Sequence, residues 1–166
     1  AADKGFKNIQ IQSNGRLFSS MEFCKKTLDA GATEFSPALH GHIPELHDYL
    51  TRAPGSFRET VAGIINLKKL DKYVGTNTVI TRSNYRHLPQ IAALLVKLGV
   101  NHSQFAFVHA VGRAGMNFSS IVPRKSLVEP WVKAALDVVI GAGKVAYTEA
   151  IPYCFIFIVI IFFRKN

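Results

Sequence analysis

The stretch Glu34-Phe35-Ser36-Pro37-Ala38-Leu39-His40-Gly41-His42 reads as a buried strand that ends in chemically capable side chains. Short apolar runs flank it at the spacing of strand-helix-strand units. Each of these also finishes in polar residues, Ser13-Asn14-Gly15 before it and Thr81-Arg82-Ser83-Asn84 and His109 after it. In parallel α/β architectures ligands bind beyond the carboxyl ends of the strands. The polar endings therefore mark where this chain places its chemistry.

Working outward, Ala1 to Asn8 reads as the tail of a helix and a turn, and Ile9-Gln10-Ile11-Gln12 alternates as a strand does. Ser19 with Glu22 makes a capping box that opens a helix closed by Gly31. Beyond the central strand, Pro44 opens a short helix through Leu50, broken by Ala53-Pro54-Gly55. A second capping box, Ser56 with Glu59, starts a longer helix whose apolar stripe is Phe57, Val61, Ile64 and Ile65. Thr76 to Thr81 is β-branched almost throughout and reads as a strand. The next helix opens at Pro89, buries Leu88, Ile91, Leu95 and Leu98, and closes at Gly99. Gln104 to His109 is a further strand, followed by a loop from Val111 to Lys125 long enough to be functional. Pro130 then begins a helix with Trp131, Ala135, Val138 and Val139 on one face, and Val145 to Glu149 reads as a fifth strand.

Strands and helices in regular alternation predict an α/β fold with a parallel sheet and right-handed crossovers. Five strands are too few to close an eight-stranded barrel, so the expected architecture is a partial (β/α) barrel over residues 1–154. Residues 155–166 are different. Phe155 to Phe163 is uninterrupted Phe, Ile and Val, shorter than the ~20 residues of a spanning helix. It reads as sequence foreign to the domain, and no transmembrane span is expected.

The 166 residues carry 20 Lys and Arg against 11 Asp and Glu, a net charge of +9. Such a balance favours anionic ligands or acidic partners. The basic residues are scattered on outer helix faces, as in Lys25-Lys26 and Lys68-Lys69, which is a solvated surface rather than a specific nucleic-acid groove. The two cysteines, Cys24 and Cys154, lie far apart and form no Cys-x-x-Cys pair. No charged-then-apolar leader opens the sequence, and a cytoplasmic setting is the expectation.

Among the six histidines, His40-x-His42 is the sharpest pair for a metal, because in a strand both would face one side. A zinc site needs at least a third ligand, for which His47, His109 and Glu34 are the candidates. Histidines at a strand end, with Gly41 breaking the strand, read more readily as hydrogen-bonded loop residues, so no metal ligand is assigned. Neither a Gly-x-Gly-x-x-Gly turn nor a phosphate loop nor a Gly-x-Ser-x-Gly elbow occurs. What remains is a crown of polar residues at strand ends. Ser13, Asn14, Ser36, Thr81 and Asn84 suit hydroxyl and amino-acid groups, and His40, Arg82 and His109 suit a carboxylate or phosphate.

The order of these motifs resembles the radical S-adenosylmethionine (radical SAM) enzymes. Ser13-Asn14-Gly15 is similar to the Thr-Asn-Gly that ends the family's third strand. Ser36 with Leu39-His40-Gly41 is similar to the serine and Leu-Asp/His-Gly turn of the fourth. Thr78 to Asn84 with Tyr85-Arg86-His87-Leu88-Pro89 follows the fifth strand, and Gln104 to His109 the sixth. The resemblance implies S-adenosylmethionine and a [4Fe-4S] cluster as cofactors. In it Ser13 and Asn14 would approach the methionine end or ribose, and Ser36 the ribose or carboxylate. Val79 would pack on adenine, the backbone near Phe107 would read the adenine edge, and Asn84 would lie close by. His40, Arg82 and His109 would face an unidentified small-molecule or peptide substrate. In the family the cluster gives one electron to the sulfonium, and the resulting 5'-deoxyadenosyl radical abstracts a hydrogen atom from the substrate.

The family's Cys-x3-Cys-x2-Cys motif and its Gly-Gly-Glu are both absent from this sequence. The resemblance therefore reads the chain as the carboxyl-terminal two thirds of a radical SAM core, inactive as written. Its tail would come from a shifted reading frame, and its exposed barrel edge would be prone to association. Two other readings compete with it. One is a non-catalytic basic α/β module that binds an anionic ligand or protein partner across the same strand ends. The other is a (β/α) enzyme of another kind, for which Glu149 is the tolerable candidate carboxylate.

Overall fold

The computed structural model describes residues 1–152. Cys154 and the apolar run 155–166 lie outside the described residues. Five strands, β1 (Gln10–Ser13), β2 (Glu34–Pro37), β3 (Tyr73–Ile80), β4 (His102–Phe107) and β5 (Val145–Glu149), form one sheet in the order β1-β2-β3-β4-β5. Every neighbouring pair is parallel. Helices α1 (Met21–Asp29), α2 (Pro44–Thr51), α3 (Ser56–Lys69), α4 (Leu88–Lys97), α5 (Gly112–Met116), α6 (Phe118–Ile121) and α7 (Lys125–Gly141) connect them. Strands that follow one another in both chain and sheet, with crossovers of one hand, put their helices on one face. That is the winding of a (β/α) barrel rather than of a doubly wound sheet, and the five-stranded, all-parallel sheet is consistent with the expected partial barrel.

The alternation within each strand decides what the two faces do. Phe35, Val74, Ile80, Phe105 and Phe107 point toward the helices and are buried. They meet Ile64 and Leu67 of α3, Leu88, Ile91 and Leu95 of α4, and Val128, Val132, Ala135 and Val139 of α7 in a single core. The opposite, concave face carries Gln10, Gln12, Glu34, Ser36, Asn77, Val79, Gln104, Tyr147 and Glu149, all in register with one another. On that face Gly75 stands beside His102, where a Cβ would come within 2.0 Å of the imidazole. Only glycine leaves room for the ring.

Several local expectations shift. Helix α1 is capped by Ser20 rather than Ser19, its hydroxyl accepting the Phe23 N–H at 3.3 Å, because Arg16–Ser19 is taken up in a 3-10 turn. Helix α3 has no capping box: Gly55, at φ 85°, occupies the cap position, and the cap is Asp48 of α2. Its carboxylate accepts the Gly55 N–H at 2.6 Å, the Phe57 N–H at 2.7 Å and the Ser56 hydroxyl at 2.9 Å. Glu59 pairs with Arg16 instead. Helix α7 begins at Lys125, five residues before Pro130 (130 − 125), which sits inside it. Proline withholds its N–H from the carbonyl four residues back. That residue, Ser126, is exposed, so water can serve the carbonyl. The long loop from Val111 to Lys125 contains α5 and α6. No helix among the described residues is long and apolar enough to cross a membrane.

Phe105 is fully buried. Phe105→Ala should lower unfolding free energy by about 3–5 kcal/mol in urea titration, the usual range for emptying such a site. Desolvation pulls the Asp48 carboxyl upward, but the hydrogen bonds from Phe57, Gly55 and Ser56 outweigh it and hold it below its ordinary 3.8. A depressed carboxyl stabilises the fold above its unfolded pKa, and the contribution is lost as pH falls through the folded one. Wild type should therefore have the higher urea midpoint against Asp48→Asn at pH 7, and the two should converge as the pH is lowered below 3.8. Parallel curves down to low pH would contradict this.

Candidate functional site

Because all five strands run the same way, their carboxyl ends lie at one edge of the sheet. Ser13 and Asn14 end β1, Ser36 and His40 lie in and after β2, Val79, Arg82 and Asn84 in and after β3, and Phe107 and His109 at and after β4. The structure thus brings the sequence-derived set to a single end of the molecule. What differs among these residues is whether each side chain is free.

The end of β2 is built first by an absence. Pro37 has no N–H to give, and pairing with β3 lapses after Phe35, resuming as a single bridge at Ala38 and Asn77. From there side chains continue what the backbone began. The Thr78 hydroxyl donates to the Leu39 carbonyl at 2.7 Å, and the Val79 N–H donates to His40 Nδ1 at 3.2 Å. Asn84, fully buried, closes the arrangement. Its Nδ2 donates to the carbonyls of His40 at 3.0 Å and Val79 at 2.9 Å, and its Oδ1 accepts from Thr81 N–H at 2.7 Å and Thr81 hydroxyl at 3.1 Å. The amide's bonding capacity is spent inside the chain.

Ser13 and Asn14 are also engaged. Ser13 Oγ accepts the Gly15 N–H at 3.0 Å, and Asn14 Oδ1 accepts the Arg16 N–H at 3.1 Å, leaving the Asn14 amide nitrogen facing outward. Gly15 makes this turn at φ 78°, where the Asn14 carbonyl meets the Thr60 hydroxyl at 3.0 Å. Arg82 is exposed and holds the α5–α6 segment, its guanidinium donating to the Ser119 carbonyl and its N–H to Ile121 at 2.8 Å. His109 lies 3.7 Å from Glu149, both exposed. The Phe107 ring packs in the core with Lys125 Nζ 5.1 Å above it, while the neighbouring Val108 N–H pairs with the Ile80 carbonyl at 3.2 Å.

The free groups lie on the concave face. Ser36, buried, and Val79, half-buried, face it beside Ala106. Asn77 Oδ1 is buried there without a hydrogen-bond partner. Such an orphaned acceptor costs stability unless a ligand or water meets it. Sequence reasoning missed Asn77, which looks like any polar residue in a β-branched run; its place in the inward-facing alternation was the available signal.

The metal pair separates. The strand ends before His40, so strand alternation does not govern the histidines. His40 stacks on His47, ring centroids 5.8 Å apart, and His42 stacks on His87 at 5.2 Å. No three His, Cys, Asp or Glu side chains among the described residues form a metal-holding group. Cys24 is buried in α1, its thiol donating to the Phe18 carbonyl at 3.1 Å, and desolvation raises its pKa. It is placed as a packed core residue.

No protein-family model matches the sequence. Two curated proteins are similar to it. The AdoMet-dependent heme synthase of Methanosarcina barkeri (strain Fusaro / DSM 804) is 30% identical over 111 residues, 67% of this chain and 31% of that protein. The AdoMet-dependent heme synthase of Oleidesulfovibrio alaskensis (strain ATCC BAA-1058 / DSM 17464 / G20) is 26% identical over 119 residues, 72% of this chain and 30% of that protein. The chain spans about a third of the length of these relatives. Their similarity supports a relationship to the radical SAM enzymes that the order of strand-end motifs resembles.

Proposed function

We propose that this chain forms the S-adenosylmethionine-holding strand ends of a radical SAM enzyme. The observation that carries the reading is the concave face at the carboxyl ends of β2 to β4. There an uncommitted serine and a half-buried valine stand beside a small alanine on the same face of the sheet. What the relatives' name contributes is the dependence on S-adenosylmethionine.

The residues present fit such a ligand in part. Val79 offers an apolar surface to adenine, and the backbone at Phe107 lies next to it for the adenine edge. Ser36 serves the ribose or carboxylate. Asn14 approaches the methionine end through its amide nitrogen. Ser13 and Asn84 act indirectly, by fixing the turns that carry these groups. His40, Arg82 and His109 line the approach for a substrate, Arg82 by holding the α5–α6 segment over it. S-adenosylmethionine, when bound in such enzymes, supplies the radical precursor; the protein supplies position and exclusion of water. A [4Fe-4S] cluster is a different matter. Cluster ligation takes at least three thiolates together, and Cys24 and Cys154 do not supply them.

Equilibrium dialysis of the purified chain against labelled S-adenosylmethionine tests the reading. Saturable binding of one molecule per chain is expected, weakened roughly tenfold or more in Val79→Asp, since a carboxylate desolvated against an adenine ring costs more than 1.4 kcal/mol. Absence of saturable binding by a chain with intact circular dichroism would overturn it. So would unchanged affinity in Val79→Asp. Binding of simple anions without S-adenosylmethionine would favour the non-catalytic module instead.

A further inference from the structure

A cavity of about 270 Å³ opens at the carboxyl ends of β1 and β2, bounded among others by Asn14, Arg16, His40, His47, Thr51 and Thr60. Two of its walls are imidazoles whose chemistry the backbone fixes. The His40 N–H donates to His47 Nδ1 at 3.0 Å, and the Val79 N–H donates to His40 Nδ1 at 3.2 Å. A backbone N–H is always a donor, so each Nδ1 must present a lone pair. Each neutral ring therefore carries its proton on Nε2. The rings are stacked at an interplanar angle of 17°, so the two N–H groups lie on neighbouring parallel planes.

Neither Nε2 has a hydrogen-bond partner among the described residues, neither is among the fully buried unpartnered atoms, and both histidines line the cavity. The hydroxyls around them are committed elsewhere. Thr51 and Ser56 bond each other at 2.7 Å, Ser56 donates to Asp48, and Thr60 donates to the Asn14 carbonyl. Arg16 is paired with Glu59. The two imidazole N–H groups are thus neutral donors left uncommitted in the cavity, alongside the Asn14 amide nitrogen and the terminal guanidinium nitrogens of Arg16, which is already neutralised by Glu59. Burial, then the charge of His47, lowers the His40 pKa to about 4, and burial lowers that of His47 against the pull of Asp48. Both rings stay neutral at ordinary pH.

We propose that His40 and His47 form a donor pair that binds the carboxylate of a small ligand in this cavity. Two fixed N–H groups suit a monoanion that accepts at more than one lone pair. A phosphate dianion would find no uncompensated cation here, and a neutral amide would forgo the stronger hydrogen bonds of a charged acceptor. The inference stands apart from S-adenosylmethionine binding and can succeed or fail without it.

Long-range ¹H–¹⁵N correlation spectra of the labelled chain at pH 8, where inorganic phosphate is mainly the dianion, test it, with sodium acetate as the probe at constant ionic strength. Both rings should show the Nε2–H tautomer, and acetate should shift both sets of signals saturably, with no comparable shift from inorganic phosphate or acetamide. His40→Asn and His47→Asn each keep an acceptor near the Nδ1 position while removing the distal donor. Each should weaken acetate binding roughly tenfold or more. An Nδ1–H tautomer on either ring, shifts that do not saturate, or undiminished acetate binding in His40→Asn would overturn the proposal. Should His47→Asn not fold, His40→Asn decides alone.

Discussion

A proline that cannot donate a hydrogen bond governs the functional end of this sheet. Pro37 interrupts the β2–β3 ladder where the strands would otherwise run on together. The chain then relies on Thr78, His40 and Asn84 to satisfy the backbone that the ladder leaves open. Each such bond is worth only about 0.5–1.5 kcal/mol net, yet a buried group left unmet costs about 1–3 kcal/mol. These bonds jointly satisfy the backbone that the interrupted ladder leaves open. The imidazole of His40, the carbonyl of Val79 and the turn at Thr81 keep fixed relative positions, which is what a binding edge requires.

The same logic explains which parts of the fold were legible. Strand and helix alternation, with each strand ending in polar residues, needs only local periodicity, and in a singly wound sheet chain order is also spatial order. Helix starts were harder. Ser-x-x-Glu at Ser56 and Glu59 has the local form of a capping box, but Asp48 reaches across from the preceding helix, and Glu59 is drawn to Arg16 in the turn after β1. Asp48 lies in the preceding helix and Arg16 lies 43 residues away from Glu59, so neither contact is visible in the local Ser-x-x-Glu pattern. Pro130 likewise suggested a first helical position, whereas α7 tolerates it one turn further in, where its lost hydrogen bond falls on an exposed carbonyl.

The candidate site divides along a similar line. That Ser13, Ser36, His40, Val79, Asn84 and His109 would gather at one end followed from parallel strands alone. Whether each polar group is free did not, because a side chain's commitments depend on partners that only the fold supplies. Asn84 looks in sequence like a ligand contact and is in fact bonded four ways within the chain. Asn77, unremarkable in sequence, holds an acceptor with no partner among the described residues. His47 had a sequence role only as a distant metal candidate, yet it fixes the loop after β2 by accepting the His40 N–H.

Charge gives the last distinction. A net charge of +9 suggests recognition by electrostatic attraction. At the strand ends, however, Arg16 is neutralised by Glu59, Arg82 is turned to a backbone carbonyl, and burial keeps His40 and His47 uncharged. Nine of the 20 lysines and arginines lie in helices α1–α7, where exposed charge is screened by salt within about 10 Å at 0.1 M. What the strand ends offer a ligand is a set of neutral donors and acceptors in fixed directions beside an apolar wall. A ligand bound there as proposed would be selected by geometry and by the desolvation of unmatched polar groups rather than by charge steering.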